Sequence, residues 1–250
     1  MALNNLTIGF EWEVYQSEYY DEDTPFYNPD HDRFCWNSDI AVDFNTFRMC
    51  NRYNFRTHYE CSAVEFASPV FPTLRSAKAM ARRMQKRVAK DRFLGPGYTS
   101  ENGIHVHVSY PFDADDFSER TNFYKRVYGM LNRISSEAFV WKFSKRGECS
   151  DYQYEAESSC WDTYTDTPYF DGSGRMLRAN LPDDEYTLEY RLWAGVSDRL
   201  IPALEFAHAC TNFVHKNKKD KYPYLKDMKE WLFKQRAYND LKACPEWDLV

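Results

Sequence analysis

The chain has 250 residues, 43% of them hydrophobic, 28% charged and 18% aromatic, with a formal net charge of -6. That length suits a single domain with a sizeable core. The many aromatics and only nine glycines argue against disorder, and the acidic balance gives no global nucleic-acid footprint.

Residues 5–15 (NLTIGFEWEVY) alternate and predict the first strand. From 17 to 56 turn formers dominate, with Pro25 and Pro29 early, which predicts loops and a short strand around 38–44. A connection this long in a compact domain is usually functional. A second strand is predicted over 58–67 (HYECSAVEFA), stopped by Ser68 and Pro69. Leu74, Ala77, Ala81, Met84 and Val88 recur at spacings of three and four, predicting a helix over 73–92 with Thr73 as N-cap and Gly95-Pro96-Gly97 as its stop. This helix carries Arg75, Lys78, Arg82, Arg83, Lys86, Arg87, Lys90 and Arg92 against Asp91 alone.

A third strand over 103–110 leads to a long helix over 118–143, capped by Asp116 or Ser118 and burying Phe123, Val127, Met130, Leu131, Ile134, Ala138 and Val140. Residues 145–184 are turn-rich and acidic, with the sequence DGSG at 171–174. A fourth strand over 186–193 precedes helices near 199–216 and 224–241. Neither an internal repeat nor a linker divides the chain. Strands interspersed with long helices predict the α+β class, with helices on one face of a mainly antiparallel sheet and the other face open.

Cysteines 35, 50, 61, 149, 160, 210 and 244 contain no CxxC pair and are odd in number. Free thiols in a reducing compartment are expected, rather than a disulfide framework or a zinc ribbon. Strand signal begins by about residue 6, and no apolar run nears the roughly 18–20 residues of a membrane span. The expectation is a soluble, cytoplasmic protein with no membrane partner.

The chemistry lies in the strands. Side chains i and i+2 of a strand share a face about 6.5–7 Å apart. Glu11 therefore points with Glu13, His105 with His107, and Glu189 with Arg191. Taken singly, these pairs also suit outward glutamates, a hydrogen-bonded histidine pair and a cross-strand ion pair. Collected on one sheet face, carboxylates and imidazoles are costly unless a cation neutralises them, so a divalent metal site is the economical explanation.

The order of the motifs adds more. GxExE at 9–13, the ExxSP strand at 65–69, a long helix, GxHxHxS at 103–109 and RANLPDDEYTLEYR at 178–191 follow one another. This succession resembles the carboxylate–amine ligase superfamily with the glutamine synthetase fold, and within it the amidoligase family. The resemblance covers roughly residues 6–215, with 216–250 as a C-terminal helical extension of one catalytic domain, 1–250. It implies a curved antiparallel sheet with the active site on its open face.

It also implies roles. Glu11 and Glu13 match the first-strand pair that ligates two divalent ions, Glu65 the second-strand metal carboxylate, His105 the metal-binding imidazole and Glu189 the late metal carboxylate. His107 falls where the second histidine supports the site or faces substrate, and it is grouped with the expected cofactor-binding residues. Arg191 matches the arginine that contacts nucleotide phosphate, and Arg175 and Arg178 fall where further phosphate-binding arginines are expected. Arg191, Arg178 and Glu65 are the expected catalytic residues. The family's Asp-Gly-Ser turn is not matched upstream of Glu65. Asp39 or Glu60 could take that acidic role, and Glu60 is preferred as a metal residue.

The implied activity is ATP-dependent amide or peptide bond formation through an acyl phosphate. Phosphoryl transfer needs positioning and charge neutralisation, which a mostly carboxylate donor set with Mg²⁺ or Mn²⁺ supplies. A zinc site would recruit more cysteine or histidine. Guanidinium groups would grip phosphate oxygens, and an acidic residue in 17–56 or 145–172 would deprotonate the amine. The alternatives are a metal-dependent hydrolase using the HxH strand and a non-catalytic binding protein on a ligase-like fold. The basic helix over 73–92 is either a solvated face or a dock for a nucleic-acid-linked substrate.

Overall fold

Alternation builds the first strand, β1 (Ile8–Tyr15): Ile8, Phe10, Trp12 and Val14 are buried in the core, while Gly9, Glu11, Glu13 and Tyr15 take the opposite face of the pleat. The computed structural model describes residues 6–15, 42–60, 63–91, 94, 102–112, 115–132, 137–145, 161–162, 167–168, 179–180, 187–218 and 223–250.

The loop-and-strand expectation for 17–56 is corrected where it is described. Helix α1 (Phe44–Tyr53) occupies the later part. Asp43 has extended backbone and its carboxylate accepts from Thr46 N at 2.8 Å, while Asn54 closes the helix in the left-handed region at φ 56°. The strand expected over 58–67 is a pair of strands, β2 (Arg56–Glu60) and β3 (Ala63–Ala67), running antiparallel with Tyr59 opposite Val64 and His58 opposite Glu65. The fold-back could be read from parity, because the aromatic and apolar positions switch from odd Tyr59 to even Val64 and Phe66.

Helix α2 (Leu74–Val88) forms as expected, with the Thr73 hydroxyl accepting from Ser76 N at 3.1 Å and Ala77, Met80, Ala81, Met84 and Val88 buried. Strand β4 (Gly103–Ser109) follows. The long helix expected over 118–143 is described as two, α3 (Phe117–Asn132) and α4 (Glu137–Ser144). Asp116 caps the first, accepting from Ser118 N at 2.8 Å. Two-residue strands β5 (Trp161–Asp162) and β6 (Thr167–Pro168) pair with each other. The two-residue β7 (Ala179–Asn180) and the long β8 (Thr187–Ala194) belong to the main sheet. A 3₁₀ turn at Ser197–Arg199 leads into α5 (Leu200–Lys216), followed by α6 (Leu225–Phe233), α7 (Asn239–Lys242) and a closing 3₁₀ segment, Pro245–Leu249. The single helix expected over 224–241 thus ends early, and Tyr238 takes the left-handed region at φ 64° before α7.

The main sheet has the order β2-β3-β1-β4-β8-β7, and every neighbouring pair is antiparallel. Its apolar side chains meet those of α5: the Tyr190 hydroxyl lies 2.7 Å from Thr211 Oγ1, and the Trp193 ring stands edge-on to Phe206 at 5.6 Å. Helix α5 is buried without a break from Leu200 to Val214, so its polar residues need partners. Glu205 takes Lys78 and accepts from Leu241 N at 2.7 Å, His208 Nδ1 faces the Tyr238 hydroxyl at 3.0 Å, and Thr211 takes Tyr190. The C-terminal segment packs on the same helix layer, with Trp247 5.4 Å from Phe139 and Arg199 paired to Glu246 at 2.5 Å. Among the described residues no helix is long and apolar enough to cross a membrane.

Candidate metal centre

Pairing register assembles the polar sheet face. Glu13 on β1 stands opposite Glu65 on β3, Glu11 opposite His105 on β4, and His107 opposite Glu189 on β8. Four adjacent strands, β3, β1, β4 and β8, thus deliver their alternate residues to one patch. A bulge follows: Val106 pairs with Tyr190 but Ile104 with Trp193, so β8 carries one residue more than β4 there. Glu189 and Arg191 remain on the polar face, while the shifted parity sends Trp193 into the core, where it is wholly buried.

The geometry centres on His105. Its Nδ1 lies 3.2 Å from Glu11 Oε2 and 3.6 Å from Glu189 Oε1, and its Nε2 lies 3.7 Å from Glu13 Oε1. One donor atom each from Glu11, His105 and Glu189 fall within 4.8 Å of one another, close enough to hold a single ion. His107 Nε2 is 3.4 Å from Glu11 Oε1, and Arg191 Nη1 donates to Glu189 Oε1 at 2.7 Å. The backbone amide of Gly103 donates to Glu13 Oε2.

Burial makes this collection of charge consequential. Glu13, Glu65, His105 and Glu189 are each 9% exposed or less. Burial alone would push the Glu11 carboxyl up, but hydrogen bonds and charge from His105 and His107 outweigh it and hold the group well below the ordinary carboxylate range. Glu11 therefore stays ionised beside three other glutamates on the same face. Oxygen-rich donors with one imidazole suit a hard or borderline divalent cation.

A glycine at the end of β8 braces the patch. A Cβ on Gly195 would lie 2.3 Å from the Glu13 carbonyl oxygen and 3.1 Å from Asn102 Cβ. The close approach lets Trp12 Nε1 donate to Gly195 O at 2.8 Å and Gly195 N donate to Asn102 O at 3.0 Å. The strands bearing Glu13, His105 and Glu189 are thereby tied together at one corner. Sequence reasoning missed this glycine, the Gly103 amide, and His58, whose register position opposite Glu65 extends the polar row.

Comparison with known proteins adds a structural likeness. No protein-family profile and no curated protein matches the sequence. Among solved structures, the chain is similar to a cryo-EM structure of Plasmodium falciparum glutamine synthetase, at 16% identity and a TM-score of 0.46. The alignment covers 87% of this chain and 53% of that one, so the chain spans about half the length of the glutamine synthetase it matches.

The remaining expected site residues are distributed as follows. Glu11, Glu13, His105, His107, Glu189 and Arg191 come together, and Glu65 joins them by register. Glu60 holds the register position opposite Ala63, at the edge of the same face. Asp39, Arg175, Arg178 and the DGSG sequence lie outside the described residues. Four cations of the basic helix α2 have partners elsewhere in the chain. Lys78 pairs with Glu205 and Asp240, Arg82 with Asp240 at 3.0 Å, and Arg87 with Asp43. Arg83 donates to the Tyr53 hydroxyl at 3.2 Å. These contacts account for much of the helix's charge without a polyanion.

Proposed function

We propose that the chain is an ATP-dependent carboxylate–amine ligase whose active centre is the polar sheet face around His105. The observation that carries the reading is the convergence of Glu11, His105 and Glu189 donor atoms within 4.8 Å, with Arg191 bonded to one of them. Glu11, His105 and Glu189 would hold one divalent ion, and Glu13 and Glu65 a second. Mg²⁺ or Mn²⁺ there would supply charge neutralisation for ATP phosphates. The fold that goes with this reading is a curved sheet of the glutamine synthetase catalytic type, helices behind it and the carboxylate face open to substrate.

The chain's own residues have distinct tasks in this reading. Glu13 faces His105 Nε2, which orients the imidazole so that Nδ1 is offered toward Glu11 and Glu189. Arg191 brings a planar guanidinium to the edge of the cluster, suited to phosphate oxygens where negative charge builds up. Arg175 and Arg178 would extend that grip, and His107 would flank the nucleotide. An acidic residue of the long connections would take the proton of the amine.

The test is product formation. ADP and inorganic phosphate are expected from ATP and Mg²⁺ only when a carboxylate and an amine are supplied together. Release of phosphate with neither present, or activity without ATP in a zinc-containing preparation, would favour a hydrolase instead.

A further inference from the structure

Glu189 serves two partners with one oxygen. Its Oε1 accepts from Arg191 Nη1 at 2.7 Å and also lies 3.6 Å from His105 Nδ1, in the cluster shared with Glu11. Both members are enclosed, with side-chain exposures of 6% for Glu189 and 17% for Arg191, so the pair is little screened by water. A cation taking Glu189 Oε1 as a ligand would share that oxygen with a guanidinium, and one bound through either oxygen would sit beside its positive charge.

We infer that Arg191 gates the cation site: it holds Glu189 when no anion is bound, and transfers to a phosphate oxygen when a nucleotide arrives. This rests on the reading of the Glu11–His105–Glu189 cluster as a divalent cation site. Cation and nucleotide then bind with positive coupling beyond their direct contact, since each relieves a cost the other would meet. Linkage requires the effect to be reciprocal. Without nucleotide, the arginine suppresses cation affinity and keeps its hydrogen bond to Glu189. Arg191 falls within the bulge of β8, between Tyr190 and Trp193, where the pairing of β8 with β4 is interrupted.

Mn²⁺ titration followed by electron paramagnetic resonance, with no nucleotide and then with ADP, decides the matter. The Arg191→Gln protein is expected to bind Mn²⁺ about tenfold more tightly than the wild type without ADP, and to lose most of the tightening that ADP gives the wild type. Arg191→Lys, which keeps the charge but not the planar fork, is expected between the two. Equal or weaker Mn²⁺ binding by Arg191→Gln overturns the gate, because it would make the arginine a support of the ligand set. A crystal structure of the wild-type protein with Mn²⁺ and ADP needs no variant. The 2.7 Å contact is expected to be broken there, and its persistence with Mn²⁺ on Glu189 also overturns the proposal. If the wild type binds no Mn²⁺ with or without ADP, the cation-site reading itself fails.

Discussion

At the scale of single residues, the cluster is held by groups whose removal has separable effects. Glu11→Ala and Glu189→Ala each delete one of the three convergent donors and are expected to abolish Mg²⁺-dependent ADP release. Far-ultraviolet circular dichroism should stay near wild type in both, and the urea midpoint near wild type in Glu11→Ala but lowered in Glu189→Ala, which leaves the Arg191 guanidinium without its carboxylate. Glu13→Gln is different. It keeps an acceptor for the Gly103 amide but removes the charge facing His105 Nε2, so activity is expected to fall by about 10–100-fold with the fold intact, measured as initial rate at saturating Mg²⁺. The shared face of these residues was legible in the sequence because period-two spacing alone puts Glu11 with Glu13 and His105 with His107. The spacing could not say that His105 sits between three carboxylates. That depends on the stagger of β1 against β4 and of β4 against β8, which no local pattern encodes.

At the scale of elements, the corner where β8 leaves the sheet is the most sensitive point. Gly195→Ala would drive a methyl into the Glu13 carbonyl, and the neighbour is backbone with little room to give. The variant is expected to lose about 1–3 kcal/mol of stability by chemical denaturation, and activity beyond that loss, because β1 would shift with its glutamates. An unchanged urea midpoint would mean the corner relaxes freely. Reading elements from sequence succeeded where periodicity was long, as for α2 and its Thr73 cap. It failed where the decisive information was short. Asp43 and Asn54 bracket α1 as good caps, yet the surrounding Asn, Arg and Tyr residues read as loop. The hairpin of β2 and β3 hid inside one apolar-rich stretch, and only the switch in parity marks it.

At the scale of the molecule, stability depends on polar groups buried between α5 and the C-terminal segment. His208 is enclosed beside Tyr238 and Asn212, and burial, aided by the charge of Lys216, pushes its imidazole from 6.5 down to about 4. Between those values the unfolded chain binds a proton that the folded chain refuses. Stability from this residue is therefore complete above pH 6.5 and lost as pH falls toward 4, by about 3 kcal/mol in all. Urea midpoints measured across that window should fall less steeply in His208→Gln than in the wild type, and parallel slopes would contradict the assignment. A second lock, Arg199 with Glu246, ties the last residues to the start of α5. Glu246→Ala would strand a buried guanidinium and is expected to cost about 3 kcal/mol, seen as a lowered melting temperature.

In the proposed ligase, the buried carboxylates and His105 form a cation centre that receives a nucleotide. Calorimetric titration of ATP into the wild-type protein, with and without Mn²⁺, addresses it most directly. Saturable binding is expected only with the ion present, and its loss in Glu11→Ala and Glu189→Ala. Nucleotide binding absent under both conditions would contradict the ligase reading.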